Sequence, residues 1–154
     1  MPAVIRWVPA VVISAAIGMQ FVRPPRTNPP TDPSRTLSAR TSLTPDAAVV
    51  LDRACRDCHS NDTRWPWYSH VAPVSWFVID HVNHGRRHLN YSDWAQYEPD
   101  TATRLLKNAC EFARKETMPL PSYARVHGAA RLSDREIAAL CDFTDGVLRE
   151  ARRE

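Results

Sequence analysis

An all-α domain with long loops, preceded by a transmembrane helix, is the fold class that this sequence predicts. Three observations carry it. Apolar residues recur at helical spacing in separate segments, and no convincing alternating run marks a strand. Thirteen prolines against four glycines favour long, stiffened loops over tight hairpins. The stretch from Val8 to Val22 contains no charged residue. A chain of 154 residues has room for one compact domain plus an extension.

The amino-terminal segment comes first. Val8–Val22 is bounded by Arg6 and Arg23, and with Val4 and Ile5 it reaches about 19 residues, close to the ~20 that cross a hydrocarbon core. A cleaved signal peptide is the rival, with Ser14-Ala15-Ala16 as a small-residue site. Cleavage there would leave a very short apolar region, so an uncleaved anchor over residues 1–22 is expected. Basic residues are as dense after the segment (Arg23, Arg26, Arg35, Arg40) as before it, so charge alone does not place the following domain outside.

Residues 23–43 hold five prolines in their first eleven positions and few apolar side chains. Such a stretch buries too little surface to fold and is expected to be a semi-rigid linker that holds the domain off the membrane. The folded domain, 44–154, opens at Thr44-Pro45-Asp46, an N-cap, a first-turn proline and an acid at the positive helix end. Ala47, Val50, Leu51 and Ala54 then lie on one helix face that runs into Cys55. A proline- and tryptophan-rich loop follows, then an apolar run from Val74 to Val82 leading into HVNHGRRHLNYSDW. A further helix is expected over Thr101–Lys115, with Leu105, Leu106, Ala109, Cys110 and Phe112 for packing. The loop ETMPLPSYARVHG separates it from a last helix. There Ser133-Asp-Arg-Glu136 reads as a capping box ahead of a stripe of Ile137, Leu140, Cys141, Thr144, Val147 and Leu148.

The chemistry lies in Cys55-Arg-Asp-Cys58-His59. Two thiols two residues apart, followed directly by histidine, make the attachment sequence of c-type haem. Each sulfur can add to a porphyrin vinyl group, and the histidine then meets the iron. Structural zinc needs four ligands, commonly as two spaced pairs, and Cys110 and Cys141 form no second pair. A thioredoxin-like dithiol would need a βαβ pattern, which is absent. Covalent haem also demands export, and that places the domain outside the cytoplasm.

An electron-carrying iron needs a sixth ligand. Met118, stiffened by Pro119 and Pro121, is the only methionine of the folded region, the others being Met1 and Met19. It stands on a loop ahead of the terminal helix, the arrangement of a small monohaem cytochrome c. Iron ligands His59 and Met118 are therefore expected. His70 and His127 fall in loops, and either could take Met118's place. His81, His84 and His88 share a face if their segment is helical, but Gly85 weakens that helix. They read as solvated or haem-edge residues rather than a second metal site. Cys110 and Cys141, each on the apolar side of a helix, are open to two readings: a disulfide, or two buried small apolar side chains, with the second preferred.

The stretch CRDCHSNDTRWPWYSHVAPVSWFVIDHVNHGRRHLNYSDW, with QFVRPPRTNPP before it and MPLPSYARVHGAARLSDREIAAL after it, resembles a family of bacterial haem-binding domain proteins over roughly residues 20–148. The WPWYS and GRxHLN pieces are far more specific than the haem motif alone. The resemblance implies one covalent haem c on Cys55, Cys58 and His59, in a periplasmic domain on a membrane anchor.

The expectation is thus a single-pass inner-membrane protein with its haem domain in the periplasm. It would pass single electrons between redox partner proteins of the periplasm or inner membrane, as a carrier more than an enzyme. A haem sensor or peroxidase-like protein with an open or displaceable sixth position is the alternative. The net charge of +3 is mild and its basic residues are spread along the chain, so nucleic acid is not an expected partner.

Overall fold

The computed structural model describes residues 3–153, which are helical with no strand among them. Helix α1 (Ala3–Met19) is 17 residues long. At 1.5 Å per residue it reaches about 25 Å, short of a ~30 Å hydrocarbon core. No helix among the described residues is long and apolar enough to cross a membrane. The expected transmembrane helix, and with it the single-pass inner-membrane placement with a periplasmic domain, is therefore corrected. The reason is where the helix stops. The residues needed to complete a span bind the domain instead: the Gln20 amide donates to Ala72 O (3.1 Å) and accepts from Ala72 N–H (3.0 Å), and Val22 O accepts from Trp76 Nε1 (2.6 Å).

The proline-rich stretch lies along the domain rather than standing off it. Proline has no N–H, so an extended proline-rich segment is held mainly by what its side chains and carbonyls can reach. Here Arg26 donates to Ser69 O (3.0 Å), Asn28 donates to Thr63 O (3.0 Å), and Thr27 O accepts from Arg86 (2.7 Å). A 3₁₀ turn at Pro33–Arg35 and the short helix α2 (Leu37–Arg40) follow, and Leu37 enters the core at 3% exposure.

Helix α3 (Pro45–Val50) starts as its sequence dictates, with Thr44 Oγ1 accepting from Ala47 N–H and Pro45 in the first turn. It continues as a π-helical turn over Leu51–Cys55 into α4 (Arg56–His59). After a loop with a 3₁₀ turn at Trp67–His70 comes α5 (Val74–His88), which passes through Gly85 without a break. A 3₁₀ segment, Tyr91–Gln96, leads to α6 (Pro99–Arg114), which begins two residues before Thr101 because Pro99 is a good first-turn residue. The same rule accounts for α7 (Pro121–Val126), a short helix inside the segment expected to be irregular loop. Helix α8 (Asp134–Glu150) closes the chain.

The core gathers Leu37, Val50, Leu51, Leu89, Trp94, Leu106, Leu140 and Phe143. Helix α8 packs on both α3 and α6, and α4 packs on α5. A disulfide between Cys110 and Cys141 joins α6 to α8. The preferred expectation of two unlinked apolar thiols is corrected: both stripes face the same seam, which brings two buried sulfurs together.

At the start of α8, Glu136 reaches back to accept from the Ser133 backbone N–H (2.8 Å) and hydroxyl (2.8 Å), and it also pairs with Arg53. The Ser133 backbone hydrogen bond, then its hydroxyl, hold the Glu136 carboxyl below its ordinary value of 4.5. A lowered folded value means that the stabilisation is complete above the unfolded value and is lost as pH falls through the folded one. Glu136→Gln is expected to lower stability by about 1 kcal/mol at neutral pH. In urea titrations across pH, that difference should close as wild type itself is protonated. A difference that persists at low pH would rule out the charged cap as its source.

Candidate functional site

The Cys-x-x-Cys-His run is built on two irregularities. The π turn over Leu51–Cys55 delivers Cys55 to the start of α4 with a non-helical backbone (φ −121°, ψ −31°); such turns are frequent at functional sites. The four residues of α4 then present Cys58 and His59. Both thiols are free and partly buried. Cys55 packs beside Tyr91, and burial pushes its thiol up to about 12 against a lowering hydrogen bond with that phenol. Burial, then the Asp57 carboxylate, push the Cys58 thiol up to about 11. Cys110 and Cys141 are committed to each other, and among the described residues no group of three or more His, Cys, Asp or Glu side chains is placed to hold a metal ion.

His59 is held in one tautomer. Its Nδ1 lies 3.1 Å from Gly85 O and 3.0 Å from Leu89 O. Carbonyls only accept, so Nδ1 carries the proton and Nε2 keeps its lone pair. Burial lowers the affinity of the ring for a second proton, opposed by the two carbonyls. The result is a neutral imidazole with one nitrogen tied to backbone and the other available, the form in which histidine binds iron.

Helix α5 backs this arrangement. A Cβ on Gly85 would lie 2.3 Å from Cys58 O, so only glycine lets α5 meet the motif so closely. The next residue, Arg86, donates to Ser60 O (2.7 Å), Thr63 Oγ1 (2.7 Å), Thr27 O (2.7 Å) and Asn28 Oδ1 (3.0 Å). One guanidinium thereby ties α5 to the motif's exit and to the proline-rich stretch. Asn90 donates to Asn61 Oδ1 (2.9 Å), and Asn61 N–H donates to Ser92 Oγ (2.9 Å). Gly85, Arg86 and Asn90 are the first, second and last letters of the GRxHLN piece. Their work in the site was not read from the sequence, and that unusual run was the available signal.

A cavity of about 310 Å³ opens beside Cys58, walled by Tyr68, Phe77, Val78, Leu120 and Tyr123, and almost all of its surface is apolar. Asp57, between the two cysteines, accepts from the Tyr123 hydroxyl (2.7 Å) and from Arg64 N–H (3.0 Å), so α7 is bound to the motif across the cavity. A flat apolar ring attached at Cys58 would find an apolar wall here, and the protonated thiols and neutral His59 suit the same group. The donor set fits a haem.

The sixth-ligand candidates are scattered. Met118 sits on the loop between α6 and α7 at 37% exposure, outside the cavity wall but two residues before Leu120, which belongs to it. His81 lines the cavity, with Nδ1 2.8 Å from Phe77 O and its Nε2 uncommitted. His127 Nε2 pairs with the Tyr68 hydroxyl, and its ring stacks on Tyr123 at 4.3 Å. His70, His84 and His88 are exposed.

A family model described as a haem-binding domain matches residues 14–146. No curated protein and no solved structure matches the chain.

Proposed function

Because this chain belongs to the haem-binding domain family, whose cofactor is haem, we propose that it carries one haem c joined covalently through Cys55 and Cys58, and exchanges single electrons with redox partner proteins. The observation that carries the proposal is His59: a neutral ring whose Nδ1–H donates to two carbonyl oxygens, with Nε2 free to ligate. When bound, the haem supplies a one-electron couple. The chain supplies the rest. Cys55 and Cys58 anchor the ring edge, and the wall of Phe77, Val78, Leu120 and Tyr123 excludes water from it.

Met118 is the proposed sixth ligand. Its loop adjoins the cavity through Leu120, and its exposure fits a side chain that is not core filler. A thioether there would raise the potential relative to a second imidazole. A second reading, a sensor or peroxidase-like protein, rests on the same exposure: a ligand on an exposed loop is displaceable.

The test is spectroscopic, on protein made with a c-type maturation system. Haem bands that survive denaturation, and a low-spin reduced form that takes up carbon monoxide slowly, are expected. Met118→Ala should turn the spectrum high-spin and admit carbon monoxide readily, while His81→Ala, His70→Ala and His127→Ala leave it low-spin. If His81→Ala opens the site and Met118→Ala does not, ligation is bis-histidine. A wild type that is already high-spin moves the reading to sensor or peroxidase.

A further inference from the structure

We propose that the carboxyl-terminal turn of α5 is a clamp that positions the His59 imidazole and thereby sets the potential of the bound iron, with Gly85 as the residue that determines its grip. The inference rests on His59 as the iron ligand. The two carbonyls that meet Nδ1 are Gly85 O (3.1 Å) and Leu89 O (3.0 Å), four residues apart on one helix end. Gly85 O also accepts from Leu89 N–H (2.9 Å), so the turn that closes α5 is the turn that holds the ring. The carbonyl end of a helix carries partial negative charge. Two lone pairs on one N–H draw its proton outward and enrich the opposite nitrogen, so Nε2 becomes the stronger donor. A stronger donor favours the oxidised iron and lowers the potential.

The grip depends on a contact that only glycine permits. A Cβ at position 85 would lie 2.3 Å from Cys58 O, 2.9 Å from Cys58 C and 3.0 Å from Cys58 Cβ. The first two are backbone atoms of the motif itself and cannot swing aside. Any side chain at 85 must push α5 away from α4, and that lengthens both hydrogen bonds to His59. Arg86 pulls the other way, binding Ser60 O (2.7 Å) immediately after His59. Gly85 and Arg86 therefore act together, one permitting the approach and the other holding it.

The experiment compares haem-loaded wild type, Gly85→Ala and Arg86→Lys by redox titration and, with Met118→Ala added to each so that the reduced iron is five-coordinate, by the iron–histidine stretch in resonance Raman. Lysine keeps the charge of Arg86 and loses its fork. Gly85→Ala should retain haem on a denaturing gel, shift the stretch to lower frequency and shift the potential upward. Arg86→Lys should do the same to a smaller extent. A glycine with only a structural role would lower the melting temperature and leave both at wild-type values, and that result overturns the clamp. Should Gly85→Ala not fold, nitrogen-15 NMR of the wild-type full chain before haem attachment decides. A slowly exchanging Nδ1 proton and an unprotonated Nε2 on His59 are expected; the opposite tautomer, or rapid exchange, overturns it. A wild type that takes up no haem sinks the ligand role of His59, while the same NMR signals still judge the hydrogen bonds.

Discussion

Replacing both Cys55 and Cys58 with alanine should abolish haem that survives a denaturing gel, and each single replacement should leave at most one thioether. In the proposed attachment both sulfurs would be consumed: each S–H would add across a vinyl double bond, the sulfur bonding to one carbon and the hydrogen passing to the other. No oxidant is needed, but the sulfurs must be thiols and unlinked. Both are free in the structure, and their surroundings keep them protonated at neutral pH. The two singles need not be equal. Cys58 borders the apolar cavity and Cys55 packs beside Tyr91, so losing Cys58 removes the anchor nearest the ring's wall. Intact mass and haem-stained gels check the expectation. Stained protein from the double alanine variant would end attachment through these two sulfurs.

Opening the Cys110–Cys141 disulfide should have the largest effect on stability. The bridge closes a loop of 31 residues and joins α6 to α8. On chain-entropy grounds such a loop contributes about 3–4 kcal/mol by restricting the unfolded chain. In a domain of this size that is a fall in melting temperature of roughly 10 °C. Cys110→Ala with Cys141→Ala should show it by calorimetry, and a mild reductant should reproduce most of it in wild type without changing the variant. Equal melting temperatures with and without reductant would return the two sulfurs to the unlinked state that their sequence context first suggested. The bridge also requires an oxidising environment to form.

Much of the helical content was legible because its causes lie within a few residues of each other. Thr44 and Pro45 start α3, Glu136 folds back on Ser133, and the stripe from Ile137 to Leu148 marks the inner face of α8. Local rules also reached further than they were taken: Pro121 in the first turn of α7 is the signal that Pro45 supplied for α3. The Cys-x-x-Cys-His run was legible for the same reason, since two thiols and an imidazole within five residues form one chemical unit. The membrane segment shows where a local count fails. A hydropathy window sums residues without knowing where the helix ends, and here Gln20 leaves the apolar run to pair with the Ala72 backbone, 52 residues away.

By itself, then, the sequence determined the all-helical character, the starts of α3 and α8 and the Cys-x-x-Cys-His run, because periodicity, capping and a five-residue motif are short-range properties. Tertiary structure alone decided how the motif is used. As letters, Met118 was the expected ligand and His81 a solvated or haem-edge residue, and only packing puts the first on an exposed loop and the second on the cavity wall. Gly85 looked like a weak point in a helix and is the place where two backbones touch. Arg86 binds four groups drawn from two distant stretches of chain. Cys110 and Cys141 became a pair when α6 and α8 packed. Each of these depends on atoms that are far apart along the chain and within a few ångströms in space, and no spacing in the sequence records that distance.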